Sequence, residues 1–346
     1  MSGELHRGKA AIQSRKWSRP SRRALVTAIL GAVSVGLLLW VAPPAKVIDQ
    51  ISDMDPTWVL AAVGLELGSC LSYVIIFRRF FPEPPRAVSR QVAWIAMGAG
   101  AVLPGGNISS AAATGWLLRR HGVGTRRLIE RCAGLLCLLT ALGFFVNGVA
   151  GVLLLIGVPG GPHDLPHAGI PILVSVGVLS LAALLAAAAR RLGGGAPRLI
   201  RGIAAGLEAG WKAIGTPHWR LLGAPGYLCL DMAALWAACA ATGHRLGFLA
   251  VVIAYCIGYL ATAIPMPAGL GVLDSGLAAS LVLYGLSPTA AVGAVLVYHA
   301  IAIWVPGLGG LIAWLPTRRQ RLGELPAVNL PALDALRIAR VADADG

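Results

Sequence analysis

Apolar residues in this chain come in long blocks rather than in alternation. Blocks at Ala24–Val41, Thr57–Phe77, Cys132–Val158, Gly169–Ala189, Leu222–Thr242 and Pro288–Leu315 carry few charges. They approach or exceed the ~20 residues a helix needs to cross a bilayer. Two further apolar stretches do not fit that template. Gln91–Leu118 is interrupted by Leu103-Pro104-Gly105-Gly106-Asn107, and Leu246–Gly285 is interrupted by Pro265-Met266-Pro267-Ala268-Gly269. Each of their arms is short for a span, and the breaks are the strongest helix terminators available.

The polar positions supply direction. Of 29 Lys and Arg residues, all but Lys46 and Arg245 fall within residues 1–23, 78–90, 119–131, 190–221 and 315–346. The positive-inside rule places these clusters, and with them both termini, on the cytoplasmic side. Gln91–Leu118 then starts beside Arg90 and ends beside Arg119 and Arg120, both on one side. That geometry predicts a re-entrant helical hairpin turning at Pro104-Gly105-Gly106, tolerated at depth only where protein or water surrounds it. For Leu246–Ile264 and Leu270–Gly285 two topologies satisfy the charge pattern. Either both span, or they form a second hairpin from outside, which the short arms and the proline–glycine break favour. The expected fold is an all-α polytopic membrane protein, an inverted-repeat helical bundle with about six full spans and two re-entrant hairpins. A basic tail (1–23) and a second tail (316–346) flank the membrane domain (24–315).

Composition agrees. At 57% hydrophobic and 13% charged, the chain has about half the charge of a soluble domain. The net charge of +14 sits in short blocks beside apolar runs, a pattern for anionic lipid headgroups rather than nucleic acid. The first apolar block is long for a signal-peptide core and lacks a clean cleavage site, so it reads as an uncleaved span. Six cysteines lie inside apolar runs without a CxxC pair, which supports neither zinc nor disulfides. His163 and His167 flank Asp164 in a Gly/Pro-rich loop that reads as solvated, so no metal or cofactor is expected. Trp94, Trp116, Trp304 and Trp314 fall near segment ends, where aromatic belts form. Leu199, Ile203, Leu207 and Trp211 recur at helical spacing among polar residues, predicting an amphipathic helix on the bilayer surface.

The order of parts repeats. Thr57–Phe77 carries Glu66 at its middle and is followed by a Pro-Gly-Gly break and then Cys132–Val158. Leu222–Thr242 carries Asp231 at its middle and is followed by a Pro-Ala-Gly break and then Pro288–Leu315. The first unit (about 57–158) starts outside and the second (about 222–315) inside, the signature of an inverted-topology repeat. Glu66, Asp231, Asp274 and His299 all lie in apolar segments, where an ionisable group costs at least ~2.5–3.5 kcal/mol. Asn107, Ser109 and Ser110 occupy the turn after one break, and Asp274 the turn after the other. Helix starts meeting at mid-depth favour a phosphate or carboxylate. The candidate substrate contacts are therefore Gly105, Gly106, Asn107, Ser109, Ser110, Gly269, Gly271, Asp274 and His299. Glu66 and Asp231 are candidates for charge compensation or proton coupling, and Arg78 and Arg79 for recruiting anionic phospholipid at the cytoplasmic face.

The segments Ile264–Asp274, Leu281–Gly285, Tyr298-His299, Trp304-Val305-Pro306 and Leu230–Trp236 resemble the C-terminal half of the lysylphosphatidylglycerol synthase transmembrane (flippase-like) family. Phe77-Arg78, Leu103–Gly106 and Trp116–Gly122 resemble its N-terminal half less specifically. Two departures stand out. Asp274 stands where the family has Glu, and His299 follows Tyr298 where the family has Arg, replacing a permanent cation with one that titrates near neutrality. The roughly 30 residues after the last span leave no room for the aminoacyl-transferase domain of full-length synthases. The resemblance thus implies translocation of a lipid or lipid-linked headgroup between leaflets of a bacterial cytoplasmic membrane, and not an enzyme. One alternative is a non-transporting partner of a lipid-modifying or glycosyl-transferring enzyme. A remote one is an intramembrane protease, with Ser275 and His299 or Asp231 and Asp274 as its dyad.

Overall fold

The computed structural model describes residues 44–103, 106–192, 198–244, 246–260 and 272–323. These form helices and no strand: α1 (Pro44–Ser52), α2 (Pro56–Phe80), α3 (Arg86–Val102), α4 (Asn107–Arg119), α5 (Thr125–Leu155), α6 (Leu165–Leu192), α7 (Arg198–Gly215), a 3₁₀ turn (Trp219–Leu222), α8 (Gly223–Ala241), α9 (Phe248–Leu260), α10 (Val272–Leu283) and α11 (Pro288–Gly323). Five are long and apolar enough to cross a membrane: α2, α5, α6, the 3₁₀ turn with α8, and α11. This is a multi-pass membrane architecture. The sixth expected span, Ala24–Val41, lies outside the described residues, as do Pro104, Gly105 and residues 261–271. One boundary differs from expectation. The apolar block at Cys132–Val158 belongs to a helix that starts earlier: α5 already begins at Thr125, so Arg126, Arg127 and Arg131 ride on its first turns. Long basic side chains reach the headgroups from a helix end.

Local chemistry sets several of these limits. Asp55 caps α2, its Oδ1 accepting from the Thr57 amide at 2.9 Å, with Pro56 in the first turn. Pro82, Pro84 and Pro85 follow the end of α2 and forbid its continuation. Gly106, at φ +49°, starts α4 from a backbone conformation that favours glycine. Inside α6, Pro171 has no amide to bond the His167 carbonyl. The Tyr284 hydroxyl donates to that carbonyl instead, at 2.7 Å. The Asn147 amide of α5 donates to the Pro171 carbonyl at 3.2 Å and to Ser175 Oγ at 2.9 Å. The break in α6 is thereby tied to its neighbours rather than left open in hydrocarbon.

Packing centres on α2 and α8, which run antiparallel. The Asp55 amide donates to the Ala241 carbonyl at one end, and Gly223 lies against Ser72 and Ile76 at the other. Around this pair, α3 packs on α4, α2 and α11, while α9 packs on α10, α8 and α5. Helix α4 meets α5 and α10 meets α11. Helices α5 and α11 each touch both α2 and α8. Helix α6 stands outside, against α5 and α7, with Leu173 and Leu184 exposed as lipid-facing residues are. Helix α7 lies across α5, where Gly134, Gly206 and Gly210 permit close approach.

The α3–α11 crossing is closer still. A Cβ on Gly98 would meet the Pro306 carbonyl oxygen at 2.9 Å and Gly310 Cα at 3.1 Å. Both obstacles are backbone, so neither side can yield cheaply. Gly98→Ala is expected to destabilise the protein by about 1–3 kcal/mol. Gly115→Ala, whose Cβ meets nothing within 4 Å, should stay within about 0.5 kcal/mol of wild type. Unfolding of purified protein in mixed micelles measures both.

In the turn after α2, Glu83 pairs with Arg131 of α5, and the guanidinium holds the Glu83 carboxyl below its usual range. A depressed carboxyl stabilises the fold above its ordinary pKa and loses that contribution as pH falls through the folded value. The small stability difference between wild type and Glu83→Gln is therefore expected at neutral pH, and should begin to shrink as pH falls below the ordinary glutamate value of about 4.3.

Candidate functional site

The α2–α8 crossing buries two carboxyls. Glu66 is 5% exposed and Asp231 6%, and their side chains are hydrogen-bonded to one another. Two carboxyls can bond only by sharing a proton. Three more groups complete the cluster. Cys70, one turn along α2, gives its thiol to Glu66 Oε1 at 3.7 Å. Tyr298 of α11 donates to Asp231 Oδ1 at 2.7 Å, and Tyr255 of α9 donates to Asp231 Oδ2. One polar node thus joins α2, α8, α9 and α11. Apolar packing surrounds it: Met232, Leu235 and Val251 are buried on one side, and Ala62, Ala237 and Ile301 on another.

A second pair lies one residue further along α11. His299 Nδ1 meets Asp274 Oδ1 at 2.7 Å, with the two side chains 19% and 13% exposed. Asp274 stands in the first turn of α10. Helix α10 is held to α9 by Ser280 Oγ, which donates to the Ala254 carbonyl at 2.8 Å, and by Gly258 against Leu277.

The polar start of α4 belongs to neither pair. Asn107 is exposed, and Ser109 and Ser110 are half-buried. Ser110 is bonded to Tyr73 of α2, and its Cβ lies 3.2 Å from where a Cβ on Gly100 would stand. Tyr73 is seven residues from Glu66, about 10 Å along the helix. Gly105, Gly269 and Gly271 lie outside the described residues, while Gly106 caps α4. Arg79 turns toward α7, where it donates to the Ala213 carbonyl at 2.9 Å and to Thr216. Arg78 faces other arginines. His167, in the first turn of α6 rather than in a loop, pairs with Asp164 at 2.7 Å, and His163 in the loop before it meets the Leu154 carbonyl at 2.8 Å.

The sequence paired Glu66 with Asp231 only by analogy of position, and it missed Cys70, Tyr73 and Tyr255. For Tyr255 a signal existed. A phenol in a helix as apolar as Phe248–Leu260 must find an acceptor for its hydroxyl, and few acceptors exist at that depth. Asp231 is satisfied by Glu66, Tyr255 and Tyr298, whereas Asp274 is paired with His299. Among the described residues the two aspartates thus have different partners, which lends no support to a dyad built on them.

Buried carboxyls shared among spanning helices mark a polytopic helical membrane protein with a polar interior. The family described as the lysylphosphatidylglycerol synthase TM region matches residues 25–310, and the chain belongs to that family. No curated protein matches the chain.

Tyr298→Phe removes the donor to Asp231 Oδ1 without changing shape. It is expected to cost about 1–3 kcal/mol, the penalty for stranding a buried acceptor. Unfolding in mixed micelles measures the loss, and an unchanged midpoint would contradict this role for the hydroxyl.

Proposed function

We propose that the protein moves a lipid or lipid-linked headgroup between the leaflets of a bacterial cytoplasmic membrane, with both termini cytoplasmic. The observation that carries this reading is the pattern of helix neighbours. Exchanging α2, α3, α4 and α5 for α8, α9, α10 and α11 returns the same set of packed pairs: α3–α11 becomes α9–α5, α4–α5 becomes α10–α11, and α2–α8 becomes itself. Glu66 and Asp231, 165 positions apart, meet where α2 and α8 cross. Residues equivalent under a two-fold axis meet on that axis. This favours an inverted repeat, the arrangement in which one unit rocks against the other.

On this reading α3–α4 and α9–α10 are the two re-entrant hairpins. Over the described residues the four helices run 17, 13, 13 and 12 residues, short of the ~20 that a span requires. The headgroup passes between the start of α4 and the start of α10, contacting Gly106, Asn107, Ser109 and Ser110 on one side and Asp274 and His299 on the other; Gly105, Gly269 and Gly271 keep the contact role read from the sequence. The acyl chains stay in the bilayer. The Glu66–Asp231 pair, with its shared proton, lies at the pivot between units, where a change of proton occupancy couples to rocking. Arg78 gathers anionic lipid at the basic end, and Arg79, bound to α7, holds that surface in shape. No covalent chemistry is required of any of these groups.

The test is a headgroup-labelled anionic lipid in reconstituted vesicles, with protein-free vesicles as reference. Wild type is expected to translocate the label, and Asp274→Asn to slow it about tenfold, the effect of losing ~1.4 kcal/mol. Equal rates for the two proteins would remove Asp274 from the path. A wild type no faster than empty vesicles would remove the function.

A further inference from the structure

At the basic end of the bundle, guanidiniums from three elements converge. Arg78 closes the last turn of α2, Arg86 opens α3 with Arg90 one turn on, and Arg220 lies in the 3₁₀ turn packed against α2. Arg78 stands within electrostatic reach of Arg86, Arg90 and Arg220 at once. Several other basic residues at this end have polar partners: Arg126 has Glu130, Arg131 has Glu83, Lys212 has Glu208, and Arg79 has the carbonyls at the end of α7. Arg120 lies over Trp116 at 4.3 Å and Arg220, more loosely, over Trp219 at 5.8 Å, contacts that leave the charge without an anion. Among the described residues, none of the four converging arginines is paired with a carboxylate.

Helix energetics oppose this placement. Arg86 and Arg90 sit at the positive end of the α3 dipole. Its N-cap, Pro85, has no side chain to accept the first-turn amides. Arg220 carries a further defect: its Nε is buried with no hydrogen-bond partner, a costly state for a charged donor. Anchoring by the positive-inside rule asks only that each arginine reach some headgroup. It does not ask four to crowd together against a helix N-terminus. A bound anion removes every one of these penalties.

We propose that Arg78, Arg86, Arg90 and Arg220, with the first-turn amides of α3, bind one multiply charged phosphoryl group, a phosphomonoester or diphosphate. Guanidinium forks match such oxygens two at a time, which selects phosphoryl over carboxylate. The depth of the site favours a lipid source. Trp219 beside Arg220 is 62% exposed and Trp211 is 75% exposed, as indoles at the headgroup level are. The site does not depend on translocation, because its readout is binding alone.

Calorimetric titration of the full-length protein in uncharged micelles tests it with three probes: short-chain phosphatidic acid, short-chain phosphatidylglycerol and inorganic pyrophosphate. Phosphatidic acid is expected to bind once per chain, at least about tenfold tighter than the singly charged phosphatidylglycerol. The double variant Arg86→Gln with Arg90→Gln, both on the surface, should weaken phosphatidic acid about tenfold or more, as should Arg220→Lys. The double variant Arg126→Gln with Arg127→Gln, on the same end, should leave it within about twofold. Pyrophosphate binding as tightly as phosphatidic acid supports the site with a soluble ligand, and weaker pyrophosphate binding supports it with a lipid one. Absence of saturable binding by wild type, equal binding of both lipids, or equal weakening by the two double variants would overturn the proposal.

Discussion

A carboxyl group buried in hydrocarbon must find a proton, a partner or water, and the rest of this protein is arranged around how Glu66 and Asp231 meet that demand. Each helix supplies one carboxyl, and the other becomes its hydrogen-bond partner through a shared proton. Tyrosine hydroxyls from α9 and α11 fill the remaining lone pairs of Asp231. A node of this kind ties four helices at one depth. It also fixes register, because sliding α2 by one residue along α8 would rotate Glu66 by about 100° and break the bond. Apolar packing between such helices gives little such discrimination, since lipid tails are as apolar as leucine.

The consequences extend outward from the node. With α2 and α8 locked antiparallel, small residues let the flanking helices close in. Gly98 and Gly310 bring α3 onto α11, Gly258 brings α9 onto α10, and Gly223 and Gly226 bring α8 onto Ser72 of α2. Asp274 and His299 then form a second polar pair one residue along α11 from Tyr298. Because neighbouring residues on a helix point about 100° apart, α11 presents Tyr298 to the central node and His299 to α10. A single helix thereby serves both the central node and the Asp274–His299 pair.

Much of this was legible in the sequence because membrane residence enforces coarse signals. Block length and the five basic clusters gave the helices at 56–80 and 165–192 within a few residues, and the start of the one at 288–323, which runs about two turns past the expected end at Leu315. Glu66 and Asp231 stood out because ionisable groups are expensive in apolar segments. The start of α5 lies before Cys132, where the apolar block begins, because a helix can carry the basic residues of 126–131 on its first turns. Cys70 was invisible because a thiol in an apolar run is as ordinary in a core as in a network, whereas the Tyr255 hydroxyl signalled the need for an acceptor without saying which one. The convergence of Arg78, Arg86, Arg90 and Arg220 was hidden for a different reason. Sequence spacing shows that basic residues share an end of the bundle, not which of them have acidic partners there.

The coupling between Glu66 and Asp231 is the most direct measure of whether this joint organises the bundle. Unfolding free energies of wild type, Glu66→Ala, Asp231→Ala and the double variant in mixed micelles form a closed cycle. The shared-proton node predicts that the double variant is destabilised by at least about 1 kcal/mol less than the sum of the single changes, because either change alone strands its partner. Additivity within about 0.5 kcal/mol would mean that the two carboxyls act independently and that the crossing of α2 and α8 is held by packing alone.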